Sequence, residues 1–76
     1  MVMKIKSIKW EQFVEMRLRE GCKVSYIVDE LASITAQSTT TVWNWKAGKH
    51  KPTEAAQRLL DIWWHLPEEA RKAFYP

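Results

Sequence analysis

One cysteine, two glycines and no long apolar run exclude much for this 76-residue chain. A lone thiol, Cys22, rules out an internal disulfide and suits a reducing cytoplasm. Two glycines leave no phosphate-cradling loop. His50 and His65 stand fifteen residues apart with the cysteine far off, so no metal-ligand spacing exists. Cys22 has no neighbouring histidine to activate it. The carboxylate pairs Asp29-Glu30 and Glu68-Glu69 are adjacent, as on a solvated helix surface, rather than opposed for acid–base work. Neither an enzyme nor a cofactor is expected. No apolar run follows Lys4, Lys6 and Lys9, so no signal peptide is expected. No segment approaches the roughly 20 apolar residues that span a bilayer. Without repeats or linkers, residues 1–76 read as one domain, with nothing left over to form a small-molecule sensor.

Acidic residues are also missing from one place in particular. None occurs between Glu30 and Glu54, a window that holds Lys46, Lys49, His50 and Lys51. The net charge of +3 decides little by itself. Its distribution is more telling, because carboxylates absent from one surface and lysines gathered at its edge mark a phosphate-facing patch.

What the chain does have is aromatic surface. Five tryptophans are many for a domain of a size at which one core supplies only about 3–5 kcal/mol. Each large aromatic buries about 150–250 Å², so a few can form much of the core. Helical periodicity dominates and no strand is convincing. Residues 1–7 read as an arm, anchored by Val2, Ile5 and Ile8. A first helix is expected over about 8–20, with Phe13, Val14, Met16 and Leu18 inward and Gly21 as its stop. Ser25 is expected to cap a second, about 26–34, in which Ile27, Leu31 and Ile34 fall at i, i+4 and i+7. Thr53 caps a fourth, about 54–65, with Ala56, Leu59, Leu60, Trp63 and Trp64 as its apolar set. Pro67, Glu68 and Glu69 suit the start of a last short helix whose inward side is Ala70, Ala73 and Phe74. The outcome is all-α.

The third helix is the informative one. Ser38 offers an N-cap, Gly48 supplies the left-handed residue that ends helices, and Pro52 forbids continuation. Val42 and Trp45 share one face and turn inward; Thr39, Thr40, Trp43 and Asn44 fall on other faces. Three successive threonines are poor helix formers. A weak but well-capped helix, carrying short hydrogen-bonding side chains and followed by a basic turn, suits major-groove reading.

The stretch from Asp29 to Trp45, with Ala32 on the first helix, Ala36 at the turn and Thr41-Val42-Trp43-Asn44-Trp45 on the second, then Gly48-Lys49-His50-Lys51-Pro52, resembles the helix-turn-helix of lambda-repressor-like regulators, the Cro and phage-repressor group. The resemblance covers roughly residues 25 to 65. It implies a compact four- to five-helix domain with the helix-turn-helix at about 25–47 and C-terminal helices at about 54–75. Ala36 stands where glycine is usual, and polar Gln37 where an apolar residue is frequent.

Carried over by position, the resemblance implies base reading by Thr39, Thr40, Trp43 and Asn44, with Ala47 at the margin. Threonine hydroxyls serve either base and their methyls suit thymine, while Asn44 can pair with adenine. Lys46, Lys49, His50 and Lys51 are phosphate contacts. Ser38 serves equally as a cap or as a phosphate ligand; Thr41 is structural. Trp43 faces away from Val42 and Trp45, calling for a partner surface, unless it folds over the C-terminal helices. Trp45 is core, and Trp10 is core or part of an N-terminal interface.

The function implied is a sequence-specific, double-stranded DNA-binding transcriptional regulator, a repressor of phage, plasmid or other mobile-element type in the bacterial cytoplasm. It is expected to act as a homodimer on an inverted repeat. Trp63, Trp64, Phe74 and Tyr75 offer an interface unless they close the domain's own core. The alternative is a protein-interaction module, such as a factor docking on RNA polymerase through exposed aromatics.

Overall fold

Capping chemistry sets the limits of most elements in the computed structural model, which describes residues 8–75. Among the described residues five helices follow one another: α1 Trp10–Arg19, α2 Val24–Thr35, α3 Thr39–Lys46, α4 Glu54–His65 and α5 Glu68–Arg71. No strand occurs among the described residues. Val2 and Ile5, expected to anchor the arm, lie outside them. None of these helices is long and apolar enough to cross a membrane.

Two ends show how local the control is. Gly21, at φ +85°, donates to the Leu18 carbonyl at 3.0 Å, and the next amide, Cys22, reaches the Arg17 carbonyl at 3.1 Å. This is the paired bonding of a left-handed helix stop, and it satisfies carbonyls that would otherwise be orphaned. At α4, the Thr53 hydroxyl accepts from the Ala56 amide at 3.2 Å. Its limits are those read from the sequence. The start of α2 is a correction. Ser25 caps nothing: Lys23 is the extended N-cap residue, without a side-chain bond, and Ser25 is an exposed residue inside the helix. After the Gly21 turn the chain re-enters helical geometry two residues earlier than expected, and the Lys23 carbonyl accepts from Ile27 at 3.0 Å.

Helix α2 is central and packs against α1, α3 and α4. The Ile27, Leu31 and Ile34 stripe is buried as expected, and burial extends to Val28, Ala32 and Thr35. Thr35 satisfies its own hydroxyl by donating to the Leu31 carbonyl at 2.7 Å. Around this helix the core gathers Ile8, Phe13, Val14, Val42, Trp45, Ala56, Leu60 and Trp63. Ile8 is held by its backbone: its amide donates to Asp61 at 2.8 Å, and the Gln57 side chain donates to its carbonyl. Leu18 departs from expectation. It lies one turn beyond Val14 on the same side of α1, in the last turn of the helix, and is 48% exposed.

Trp63 is the hub. It is 1% exposed and meets Phe13 edge-on, with ring centroids 5.1 Å apart. The Arg71 guanidinium lies over the indole, 4.2 Å from its centroid. It also donates to the Trp63 and Trp64 carbonyls at 3.1 and 2.7 Å, closing the end of α4. Arg17, 5.6 Å from the same indole, holds Glu30 through two bonds of 2.8 Å each. Burial opposes the charge on Arg17, but Glu30, with Glu20 nearby, outweighs it and raises the pKa above the ordinary value.

Helix α5 ends at Arg71 and the chain continues in a turn. Ala73, expected inward, is exposed, because residues past Arg71 leave the helical path. The tail lies instead along the outer side of α2. The Ser33 hydroxyl donates to the Phe74 carbonyl, and Tyr75 meets Tyr26 edge-on with centroids 5.3 Å apart.

Candidate nucleic-acid interface

Three residues join α2 to α3. Ala36 takes the left-handed conformation, φ 55° and ψ 37°, and no other non-glycine residue described does so. Its amide and that of Gln37 return to the carbonyls of Ser33 and Ala32, at 3.3 and 2.9 Å. The turn is therefore tight although alanine replaces the glycine that such geometry favours. Gln37 is half-buried, and its amide group reaches the Thr35 carbonyl at 3.5 Å. That contact accommodates a polar side chain at an inward position.

Helix α3 starts at Ser38, whose hydroxyl accepts from the Thr41 amide at 3.1 Å and sits 2.9 Å from the Thr41 hydroxyl. The serine is a cap and Thr41 is engaged with it, so neither hydroxyl is idle. Val42 and Trp45 are buried against α2, at 0% and 4% exposure. That fixes the helix's rotation and turns Thr39, Thr40 and Trp43 to solvent; Asn44 is half-buried at the margin. Trp43 is 45% exposed, which decides against its folding over the C-terminal helices.

Gly48, at φ +75°, ends the helix. The Lys49 amide returns to the Asn44 carbonyl at 2.9 Å and the Gly48 amide to that of Trp45 at 3.1 Å. No atom lies within 4 Å of a Cβ built on Gly48, so backbone conformation rather than space calls for glycine there. Lys49, His50 and Lys51 follow directly and are exposed; Lys46 stands in the last helical turn with its ammonium 6.0 Å from the Trp43 ring centroid. The expected reading and phosphate-contacting residues thus form one continuous strip: a cap, an outward helix face and a basic loop. Between Glu30 and Glu54 it carries no carboxylate. Among the described residues no cluster of three or more His, Cys, Asp or Glu is placed to hold a metal ion.

The C-terminal aromatics do not gather as a surface. Trp63 is a correction: it is interior, with no surface to offer a partner. Trp64 is half-buried against it, while Phe74 and Tyr75 are half-buried over α2. Trp10 also packs partly on the core. The outer side of α4 shows something else. Ala55, Leu59 and Ile62, with Glu54 and Arg58 at the edges, line an open groove of about 590 Å³. Their signal was present as a second apolar stripe at i, i+4 and i+7, one position behind the buried Ala56, Leu60 and Trp63.

Comparison of the chain with known protein families, curated proteins and solved structures gave no match.

Proposed function

We propose that this chain is a lambda-repressor-like helix-turn-helix domain that binds double-stranded DNA with sequence specificity. In this reading α2 and α3 form the motif, and Thr39, Thr40, Trp43 and Asn44 read base edges in the major groove. Lys46, Lys49, His50 and Lys51 contact phosphates. One observation carries the reading: α3 buries Val42 and Trp45, exposes Thr39, Thr40 and Trp43, and leads straight into an exposed basic loop. Ser38, occupied as a cap, contributes by aiming the helix N-terminus. Action as a repressor of mobile-element type in a bacterial cytoplasm belongs to the same proposal and rests on the resemblance.

A homodimer on an inverted repeat completes it. A reading helix of eight residues offers few contacts, and two copies would place such helices about 34–36 Å apart along the duplex. Trp63 has no part in that interface.

The test is binding of the purified chain to duplexes selected from a random pool, repeated across salt concentrations. Each phosphate neutralised adds about 0.9 to the slope of log K against log salt, so a steep fall is expected. A specific complex indifferent to salt would remove the phosphate contacts, and no duplex selected at all would remove DNA and leave the protein-docking alternative, for which exposed Trp43 is the anchor. Sedimentation equilibrium at micromolar concentration, together with the symmetry of the selected site, tests the dimer. A monomer on a site lacking dyad symmetry ends it.

A further inference from the structure

The outward stripe of α3 runs Thr40, Trp43 and, at the C-cap, Ala47, spaced at i, i+3 and i+7, and all three are exposed. Its surface is an alanine methyl, a threonine methyl and hydroxyl, and an indole. No Arg, Gln, Asp or Glu occurs anywhere from Ser38 to Pro52. Bidentate Arg, which reads guanine, and the carboxylates that accept from cytosine are therefore missing from the reading surface, and lysine, which can also reach guanine, is confined to the last turn of α3 and the loop after it. The hydroxyl of Thr41 is engaged with Ser38, and Asn44 is half-buried. Lys46, in the last turn, has its ammonium toward the Trp43 ring and stands beside the basic loop. Beside the threonine hydroxyls and Asn44, whose amide suits adenine, what the face presents is apolar, and in the major groove only thymine presents an apolar group, its C5-methyl.

We infer that α3 discriminates by thymine methyl groups, with Trp43 and the Thr40 methyl as the specificity-determining contacts, so that the target half-site is rich in T·A pairs. The inference rests on the DNA reading above. The occupant of the exposed indole is set by its surroundings. The Lys46 ammonium lies 6.0 Å from the ring centroid, exposed Lys49 and Lys51 follow in the loop, and no carboxylate occurs in the sequence between Glu30 and Glu54, so the partner is polyanionic at its edges and apolar where Trp43 touches it. A duplex major groove lined by thymine methyls between two phosphate backbones has that pattern.

Substituting deoxyuridine for thymine deletes the methyl and leaves base pairing and charge unchanged. Each thymine of the duplex recovered from a random pool is replaced singly, and affinity for the full chain is measured at one salt concentration. One or two positions should weaken binding about three- to five-fold, the effect of one buried methyl group. Trp43→Ala, at an exposed position, should bind the thymine and uracil duplexes alike at one of these positions. Thr40→Ser, which deletes a single methyl from another exposed position, should do so at a second if the first variant fails to fold. A recovered site at which no uracil weakens binding overturns the methyl reading and leaves DNA binding standing. Failure to recover or bind any duplex overturns both.

Discussion

Ala36→Gly should stabilise this protein, and Gly48→Ala should destabilise it, by similar amounts and for the same reason. Ala36 is held at φ 55° and ψ 37°, where an L-residue's Cβ crowds the backbone at a cost of roughly 1–2 kcal/mol. Glycine removes that cost but adds unfolded-state entropy worth about 0.4–1 kcal/mol. The alanine methyl is exposed, so its loss forfeits little burial. The net gain is about 0.5–1 kcal/mol, which for a domain of this size raises the thermal midpoint by about 2–8 °C. Gly48 is the mirror case: at φ +75° with nothing within 4 Å of an added Cβ, alanine there meets only the conformational cost. The midpoint should fall by a similar 2–8 °C or so. Thermal unfolding followed by circular dichroism measures both. If Ala36→Gly lowers the midpoint, Ala36 does not occupy the left-handed region and the tight α2–α3 turn is wrong. An unaffected Gly48→Ala would likewise refute the described end of α3.

Three further outcomes follow from particular contacts. Arg17→Met leaves the Glu30 carboxylate, only 7% exposed, without the partner it meets at 2.8 Å; a loss of about 3–5 kcal/mol in urea unfolding is expected, and a loss near that of an exposed pair would show that water reaches Glu30. Thr40→Ala and Asn44→Ala should each cost about 1–3 kcal/mol at the selected site and relax specificity at one or two base pairs, read by competition with single-base variants. Folded variants that bind like the parent would misplace the reading surface. Alanine at both Lys49 and Lys51 should weaken binding to all duplexes alike and flatten the salt slope by about 1.8, whereas an unchanged slope removes both from the phosphate contacts.

Much of the proposed interface was legible in the order of residues because the forces that shape it act over a few residues. Ser38 and Gly48 bracket α3 through hydrogen bonds to amides and carbonyls within one turn, and Thr53 starts α4 in the same way. Burial of Val42 and Trp45 follows from their spacing, and exposure of Trp43 follows from that. Where two local solutions compete, capping chemistry alone does not decide. Ser25 is the better cap by chemistry, yet α2 starts from Lys23, whose carbonyl accepts from the Ile27 amide at 3.0 Å directly after the Gly21 turn.

Helix count, the boundaries of α3 and α4, the inward stripe of α2 and the acid-free basic strip were all determined by the sequence alone, since periodicity, capping and charge placement need no distant partner. Tertiary packing decided how the aromatics are shared out. Trp63 and Trp64 are neighbours with similar local prospects, but Phe13, Arg17 and Arg71 close around the first, while the second stays half-buried. It also decided the pairing of Arg17 with Glu30, the hold of Asp61 and Gln57 on Ile8, and the course of the tail over Ser33 and Tyr26. These contacts join residues 13 to 53 positions apart. Their energies depend on which surfaces meet after the helices assemble, a relation that no local run of residues carries.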